Sequence, residues 1–104
     1  MLQGWSIGVV IPARNESNHI GGVISAIPSF VDHVVVIDDG SKDGTGNIAI
    51  TTECCAEITL IRLNGLGVGN AIDNGHQKLI EIFGDSKFVS AVMAGDGQMD
   101  PDDL

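Results

Sequence analysis

Four successive apolar residues at positions 34–37 (VVVI) lead directly into Asp38 and Asp39. This run does not alternate with polar residues, which is typical of a parallel strand that is covered on both faces of its sheet. A second apolar run, at residues 88–93, leads into a segment that contains Asp96. Ligands of open α/β sheets bind outside the carboxyl ends of the strands, so both acidic segments lie where a binding site is expected.

The rest of the chain alternates strands with helices. Strands are predicted at residues 6–11, 33–38, 57–63 and 88–93, and helices at residues 20–27, around residues 48–49, and at residues 70–83. Pro12 is expected to end the first strand, Asn15 or Ser17 to cap the first helix, and Asp43 or Thr45 to cap the second. The alternation predicts an α/β fold with a doubly wound, mostly parallel sheet and right-handed crossovers.

The length of 104 residues allows one hydrophobic core and is too short for two ordinary domains. No apolar run approaches the roughly 20 residues that a membrane-spanning helix needs, and residues 1–5 lack the basic segment of a signal peptide. We therefore expect one cytoplasmic domain without a transmembrane segment. Residues 101–104 resemble the start of another helix, so the chain is expected to be the first portion of a longer protein.

The charge of the chain limits its partners. Five Lys and Arg residues face fourteen Asp and Glu residues, which gives a formal net charge of -9. This balance argues against direct binding of nucleic acid, and an anion that binds here needs a neutralising partner. Arg14 can either reach a phosphate group or pair with Glu16 at the surface.

Four short blocks of the chain carry a more specific signal. They are residues 10–16 (VIPARNE), 36–45 (VIDDGSKDGT), 67–71 (GVGNA) and 96–101 (DGQMDP). Together, and in this order, they resemble the inverting family 2 glycosyltransferases of the GT-A fold, especially the branch that transfers sugars to polyprenyl phosphates such as dolichyl phosphate. The resemblance covers nearly the whole chain and implies that residues 1–104 form the nucleotide-sugar-binding portion of such an enzyme.

The resemblance also implies a site for a UDP- or GDP-linked sugar donor. In it, Asp38 or Asp39 accepts a hydrogen bond from the nucleotide base, because a carboxylate can accept the ring N–H of uracil or guanine. Gln98, in the last block, is assigned to the same site. The other residues that the resemblance places around the nucleotide are Pro12, Ala13, Asn15, Glu16, Gly67 and Gly69.

A divalent metal, Mg²⁺ or Mn²⁺, is a further implication of the resemblance. Asp96 corresponds to the second acid of the Asp-x-Asp motif of the family, so it is the predicted metal ligand and catalytic residue, whereas Ala94 replaces the first acid. A diphosphate beside Asp96, Asp38 and Asp39 would meet a repulsion of about 1 to 4 kcal/mol per charge pair at ~4 Å. A divalent cation reverses that repulsion and stabilises the leaving nucleoside diphosphate.

The acceptor implied by the resemblance is a polyprenyl phosphate or a saccharide, whose oxygen displaces the diphosphate at the anomeric carbon. The acceptor-binding half and any catalytic base would lie beyond Leu104, so residues 1–104 are expected to bind the donor but to turn it over poorly. The alternative is a non-catalytic nucleotide-binding module that lost its activity with Ala94. A dinucleotide-binding fingerprint is excluded, because Asn70 and Ile72 occupy the positions of its third glycine.

Overall fold

The computed structural model describes residues 3–93, in which strands and helices alternate strictly. The elements are β1 (Ser6–Ala13), α1 (Ile20–Ser25), β2 (His33–Asp39), α2 (Thr45–Thr51), β3 (Glu57–Leu63), α3 (Val68–Phe83) and β4 (Phe88–Val92). All neighbouring strands are parallel, and their order in the sheet is β3-β2-β1-β4. The predicted α/β fold with a doubly wound parallel sheet is confirmed.

Helices cover both faces of the sheet, which explains the continuous apolar run of β2. All seven residues of β2 are buried. On one face, Val34 and Val36 belong to a hydrophobic cluster with residues of α1 and α2, including Ile24 and Ala49. On the other face, Val35 and Ile37 pack in a second cluster with Ala71 and Leu79 of α3. We call these the α1/α2 face and the α3 face.

Glycine lets α3 approach β1 closely. A Cβ atom built on Gly75 would lie 2.3 Å from Val10 Cγ1, and one built on Gly8 would lie 2.8 Å from Leu79 Cδ1. Both distances are far below a van der Waals contact, so no larger residue fits at either position without a shift of the neighbouring element. The packing of α3 against the sheet therefore depends on having glycine, which has no side chain, at both Gly75 and Gly8.

The prediction that Pro12 ends the first strand is wrong, because β1 continues to Ala13 and Pro12 pairs with Ile37 of β2. In a parallel strand, successive residues direct their backbone groups to alternate neighbours. The carbonyl oxygen of Val10 accepts a hydrogen bond from Met93 N at 2.9 Å, so Val10 faces β4 and Pro12 does as well. Within residues 3–93 the pairing of β4 with β1 runs only as far as Val10, so the missing N–H of Pro12 breaks no ladder bond in this part of the chain.

Helix starts also differ from the predicted positions. The residue that precedes α1 is His19, without a side-chain cap, so neither Asn15 nor Ser17 caps this helix. Gly44 precedes α2 in a left-handed conformation, and Asp43 accepts the N–H of Thr45 from one position further out.

Within residues 3–93 no helix is both long and apolar enough to cross a membrane.

Candidate functional site

The last two residues of β2 bring the candidate site to the carboxyl edge of the sheet. Asp38 lies opposite Ala13 of β1, and Asp39 lies opposite Leu63 of β3. Side chains alternate along a strand, so the two carboxylates point to opposite faces. Asp39 shares the α3 face with Ile37, whereas Asp38 shares the α1/α2 face with Val36.

Asp39 holds the glycine-rich loop between β3 and α3 through backbone hydrogen bonds. Its Oδ1 accepts the N–H groups of Gly65 and Leu66, both at 2.9 Å, and its Oδ2 accepts the N–H of Gly67 at 2.9 Å. The carboxylate offers about four acceptor positions in total. Oδ1 is therefore saturated, and Oδ2 can accept one further donor.

The charge of Asp39 is stabilised by the same contacts. Burial raises the pKa of the carboxyl, but the N–H groups of Leu66, Gly67 and Gly65, together with the charge of Arg14, lower it by more. The net pKa lies below its ordinary value of 3.8. Asp39 is therefore ionised at neutral pH, although only 5% of its surface is exposed.

A cleft of about 180 Å³ opens beside Asp39 on the α3 face. Arg14 lies at this cleft, and the other residues that line it are Pro12, Ala13, Asp39, Gly67, Val68 and Ala71. Apart from Arg14 and Asp39, the lining side chains are small or apolar. An apolar cleft with one acceptor and one cation suits a flat, polar-edged ring such as a nucleotide base.

Asp38 has a different environment on the α1/α2 face. Its Oδ1 accepts the N–H of Ser41 at 3.0 Å, and its Oδ2 lies 3.3 Å from Arg62 Nη1. Arg62 Nη2 in turn donates to Asn47 Oδ1 of α2 at 2.8 Å. A second cleft of about 210 Å³ lies here and is lined by Asp38, Gly40, Ser41, Arg62, Leu63 and Asn64. The charge of Asp38 is thus neutralised within the protein.

The loop after β1 is fastened to the loop after β2. Asn15 adopts a left-handed conformation with a φ of 54°. Its N–H donates to Ser41 Oγ at 2.9 Å, and its side-chain oxygen accepts the N–H of Lys42 at 2.9 Å. The N–H of Glu16 donates to Thr45 Oγ1 at 2.9 Å. These bonds fix the position of Arg14, which directly precedes them in the chain.

Asp43 strengthens the same junction. Its carboxylate accepts the hydroxyl of Thr45 and the N–H groups of Thr45 and Ser17. The hydroxyl of Thr45 makes the largest contribution, and together these bonds lower the pKa of Asp43 from 3.8 to about 2. The junction therefore carries a carboxylate that stays ionised in all but strongly acidic solution.

The structure brings together four of the predicted substrate-binding residues, because Pro12, Ala13, Asp39 and Gly67 line one cleft. The other predicted residues lie elsewhere or outside the described part. Asp38 lines the second cleft, Asn15 and Glu16 join the two loops, and Gly69 lies in the first turn of α3, outside the cleft lining. Asp96 and Gln98 fall outside the described residues.

Sequence reasoning assigned no pocket role to Val68 or Ala71 and left the role of Arg14 open. Arg14 carried a sequence signal, since it is one of only five basic residues and follows the first strand. In the structure Glu16 Oε2 lies 3.2 Å from His19 Nδ1, and within residues 3–93 Glu16 forms no ion pair with Arg14. Val68 and Ala71 carried no separate signal, because their part in the cleft follows from where α3 begins.

The described residues do not form a metal site by themselves. Within residues 3–93 no group of three or more His, Cys, Asp or Glu side chains could hold a metal ion. The two central carboxylates are also engaged, Asp39 by three N–H groups and Asp38 by Ser41 and Arg62. The expectation of a metal therefore rests on Asp96.

Comparisons with known proteins give consistent matches. The family model for "Glycosyl transferase family 2" matches residues 8–104. A protein of Methanococcus voltae, UDP-N-acetylglucosamine--dolichyl-phosphate N-acetylglucosaminyltransferase, is 29% identical over 113 aligned positions, which cover 94% of this chain and 44% of that protein. The crystal structure of mannosyl-3-phosphoglycerate synthase from Rubrobacter xylanophilus has a TM-score of 0.46 and 30% identity, over 55% of this chain and 20% of that one. The chain thus spans less than half the length of its Methanococcus relative.

Proposed function

Since this chain belongs to glycosyl transferase family 2, we propose that residues 1–104 form the nucleotide-sugar-binding portion of a glycosyltransferase with a UDP-linked donor. The bond between the anomeric carbon and the diphosphate breaks, the acceptor oxygen bonds to that carbon, and UDP leaves. The name of the Methanococcus relative, which includes both UDP-N-acetylglucosamine and dolichyl phosphate, supports this donor class and a polyprenyl phosphate acceptor. A saccharide is the alternative acceptor.

The observation that carries the proposal is the acceptor position on Asp39 that no donor within residues 3–93 occupies. A base with a ring N–H can donate it to a carboxylate in this position, and both bases that the resemblance implies, uracil and guanine, carry one. Guanine presents an amino group beside its ring N–H, which calls for two acceptor positions. Asp39 has one, on Oδ2, because Oδ1 already accepts two N–H groups. This count favours UDP over GDP.

The proposal includes a divalent cation, Mg²⁺ or Mn²⁺, with Asp96 as its protein ligand. The support is electrostatic, since the chain has a net charge of -9 and the donor adds a diphosphate. Mg²⁺ retains several waters and takes other ligands from phosphates, so one protein carboxylate is compatible with such a site. We place this site in the cytoplasm and assign the acceptor contacts to the part of the full-length protein that this chain does not span.

Calorimetric titration with UDP and with GDP, each with and without Mn²⁺, tests the proposal. We expect UDP to bind more tightly than GDP, and the binding to require Mn²⁺ and to be lost in Asp96→Asn. Binding of UDP that ignores both the metal and this substitution would instead indicate a non-catalytic nucleotide-binding module. Absence of binding under all conditions would refute the proposed donor site.

A substitution at the cleft locates the bound nucleotide. Val68 lines the cleft and is 64% exposed, so a glutamate at this position leaves the core intact. We expect Val68→Glu to weaken UDP binding by about tenfold or more, because it brings a second carboxylate beside Asp39. Ile50→Glu on α2 is the matched control, since Ile50 is 51% exposed and does not line the cleft. Equal effects of the two variants would place the nucleotide elsewhere.

A further inference from the structure

Arg14 differs from most of the other basic residues because its guanidinium makes no hydrogen bond and no close ion pair in the described part of the chain, although its charge lowers the pKa of Asp39. Arg62 pairs with Asp38, Lys78 with Glu81, and Lys87 lies over the ring of Trp5. Arg14 makes no hydrogen bond and no ion pair within 4 Å inside residues 3–93, although it lines the cleft. An unpaired guanidinium at a cleft has all five of its N–H donors available for a ligand.

The strand register places Arg14 beside Asp39. Ala13 pairs with Asp38 across the two strands. Arg14 directly follows Ala13 and Asp39 directly follows Asp38, so the two cleft residues are neighbours at the same edge of the sheet. A Cβ atom built on Gly65 would lie 3.9 Å from Arg14 Nη2 and 4.0 Å from Nη1. The guanidinium thus lies over the loop whose N–H groups hold Asp39, and it faces the same cleft as that carboxylate.

The cleft consequently offers one acceptor and one set of donors side by side. Asp39 Oδ2 can accept a single N–H, and Arg14 can donate to an oxygen next to it. Uracil carries the matching pattern, since its ring N–H lies between two carbonyl groups. Cytosine differs from uracil at the ring nitrogen, which is unprotonated, and at C4, which carries an amino group. In the same orientation, with C4 towards Arg14, cytosine would face Asp39 with a lone pair and Arg14 with N–H groups.

We propose that Arg14 is a specificity-determining residue, which donates a hydrogen bond to the C4 carbonyl of the base beside the N–H that Asp39 accepts, and so selects uracil over cytosine, which carries an amino group at C4. This inference rests on the proposed function, because it requires that the cleft binds the base of the donor. It differs from a contact between Arg14 and the diphosphate, since UDP and CDP carry the same diphosphate and a phosphate contact cannot distinguish them.

Titration of the chain with UDP and with CDP, in the presence of Mn²⁺, tests the proposal. The informative variant is Arg14→Met, which keeps an unbranched apolar side chain and removes the guanidinium donors. We expect it to weaken UDP binding by about tenfold or more and CDP binding by less than about twofold, so that the UDP preference shrinks by a similar factor. Arg14→Lys retains a charged donor and is expected to keep part of the preference.

Lys42→Met is the matched control for the loss of one positive charge. Lys42 is exposed, lies on the neighbouring loop and does not line the cleft. We expect it to change UDP and CDP binding equally and only slightly. Arg14 is exposed as well, so neither variant removes buried packing.

The possible results separate this inference from the proposed function. If the unmodified chain binds neither UDP nor GDP, the proposed function fails and this inference fails with it. If the chain binds UDP but Arg14→Met weakens UDP and CDP by the same factor, Arg14 contacts the phosphates and only the inference is overturned. An unchanged affinity for UDP in Arg14→Met would also overturn the inference and leave the donor site in place.

Discussion

Asp38 and Asp39 are neighbours at the end of one strand and are almost equally buried, with 3% and 5% of their surfaces exposed, yet their surroundings differ. On the α1/α2 face, Asp38 meets the guanidinium of Arg62 and is neutralised. On the α3 face, Asp39 accepts three backbone N–H groups, makes no ion pair within 4 Å inside residues 3–93, and keeps one acceptor position. Two identical side chains thus acquire different capacities, one as part of the scaffold and the other as a candidate ligand contact.

The helices that cover these two faces also pack differently. Gly75 of α3 lies against the fully buried side chain of Val10, whereas Gly46 of α2 lies against polar atoms of Asp38 and Arg62. A Cβ atom would come within 2.3 Å of Val10 Cγ1 in the first case, and within 2.6 Å of Asp38 Oδ2 in the second. At these two glycines, α3 therefore meets an apolar side chain of the sheet, and α2 meets an ion pair whose arginine is half exposed.

The largest effect is expected from substitutions of these two glycines. Gly75→Ala should lower the free energy of unfolding by about 3 kcal/mol, because Val10 is β-branched, fully buried and unable to move aside. Gly46→Ala should lower it by less, about 1 to 2 kcal/mol, because the Asp38 carboxylate that it meets can shift together with its half-exposed partner Arg62. Denaturant unfolding of both variants measures the difference.

Gly69→Ala is the control for Gly75→Ala in the same helix. Nothing lies within 4 Å of a Cβ atom built on Gly69, so the alanine should be neutral or stabilise the helix by up to ~1 kcal/mol. A similar loss of stability in Gly69→Ala and Gly75→Ala would mean that the close contact with Val10 does not determine the packing of α3.

The second-largest effect is expected from substitutions of the two carboxylates, Asp38 and Asp39. We expect Asp39→Asn to weaken UDP binding by about tenfold or more and Asp38→Asn by less than about threefold, because only Asp39 has an acceptor position that faces the cleft. Asp39→Asn should also speed the hydrogen exchange of the amides of Gly65, Leu66 and Gly67, since it replaces two charged acceptor oxygens by one neutral oxygen. Equal losses of UDP affinity in the two variants would contradict the distinct roles of the two acids.

The smallest effect concerns acid stability and the loop junction. The pKa of Asp43 is about 2 in the folded chain and 3.8 ordinarily, so its contribution to stability is complete above the ordinary value. That contribution is lost as the pH falls from 3.8 towards about 2. Thermal unfolding between pH 2 and 6 should therefore show a shallower acid decline for Asp43→Asn than for the unmodified chain. The exposed Asp73 on α3 supplies the control, and Asp73→Asn should leave the profile unchanged.

Much of the fold could be predicted because buried strands and helices require apolar residues at characteristic spacings, which are visible in the sequence. The predicted third strand coincides with β3 (Glu57–Leu63), and β2 exceeds its prediction by one residue, Asp39. Local signals failed at the boundaries. Pro12 is tolerated inside β1 because its missing N–H faces a side without a ladder bond, and α3 begins at Val68, two residues before the predicted start. Both outcomes depend on neighbours that are distant in sequence.

The candidate site was likewise predictable from the sequence only in part. The resemblance of the four sequence blocks to the family was enough to select Pro12, Ala13, Asp39 and Gly67, all of which line the cleft. The pairing of Asp38 with Arg62 joins residues that are 24 positions apart in the chain, and no local sequence pattern predicts it. The functions of Asp96 and Gln98 stay predictions of the sequence.

The sequence by itself determined the alternation of strands and helices, the parallel sheet and the presence of acids at its carboxyl edge, because periodicity and composition are local properties. Only the tertiary structure decided which acid faces which helix and which donors it meets. Side-chain alternation separates Asp38 from Asp39, and the return of the chain through β3 then supplies Arg62 to one face and the N–H groups of residues 65–67 to the other. These contacts depend on the three-dimensional path of the chain, and so do the charges that a ligand would meet.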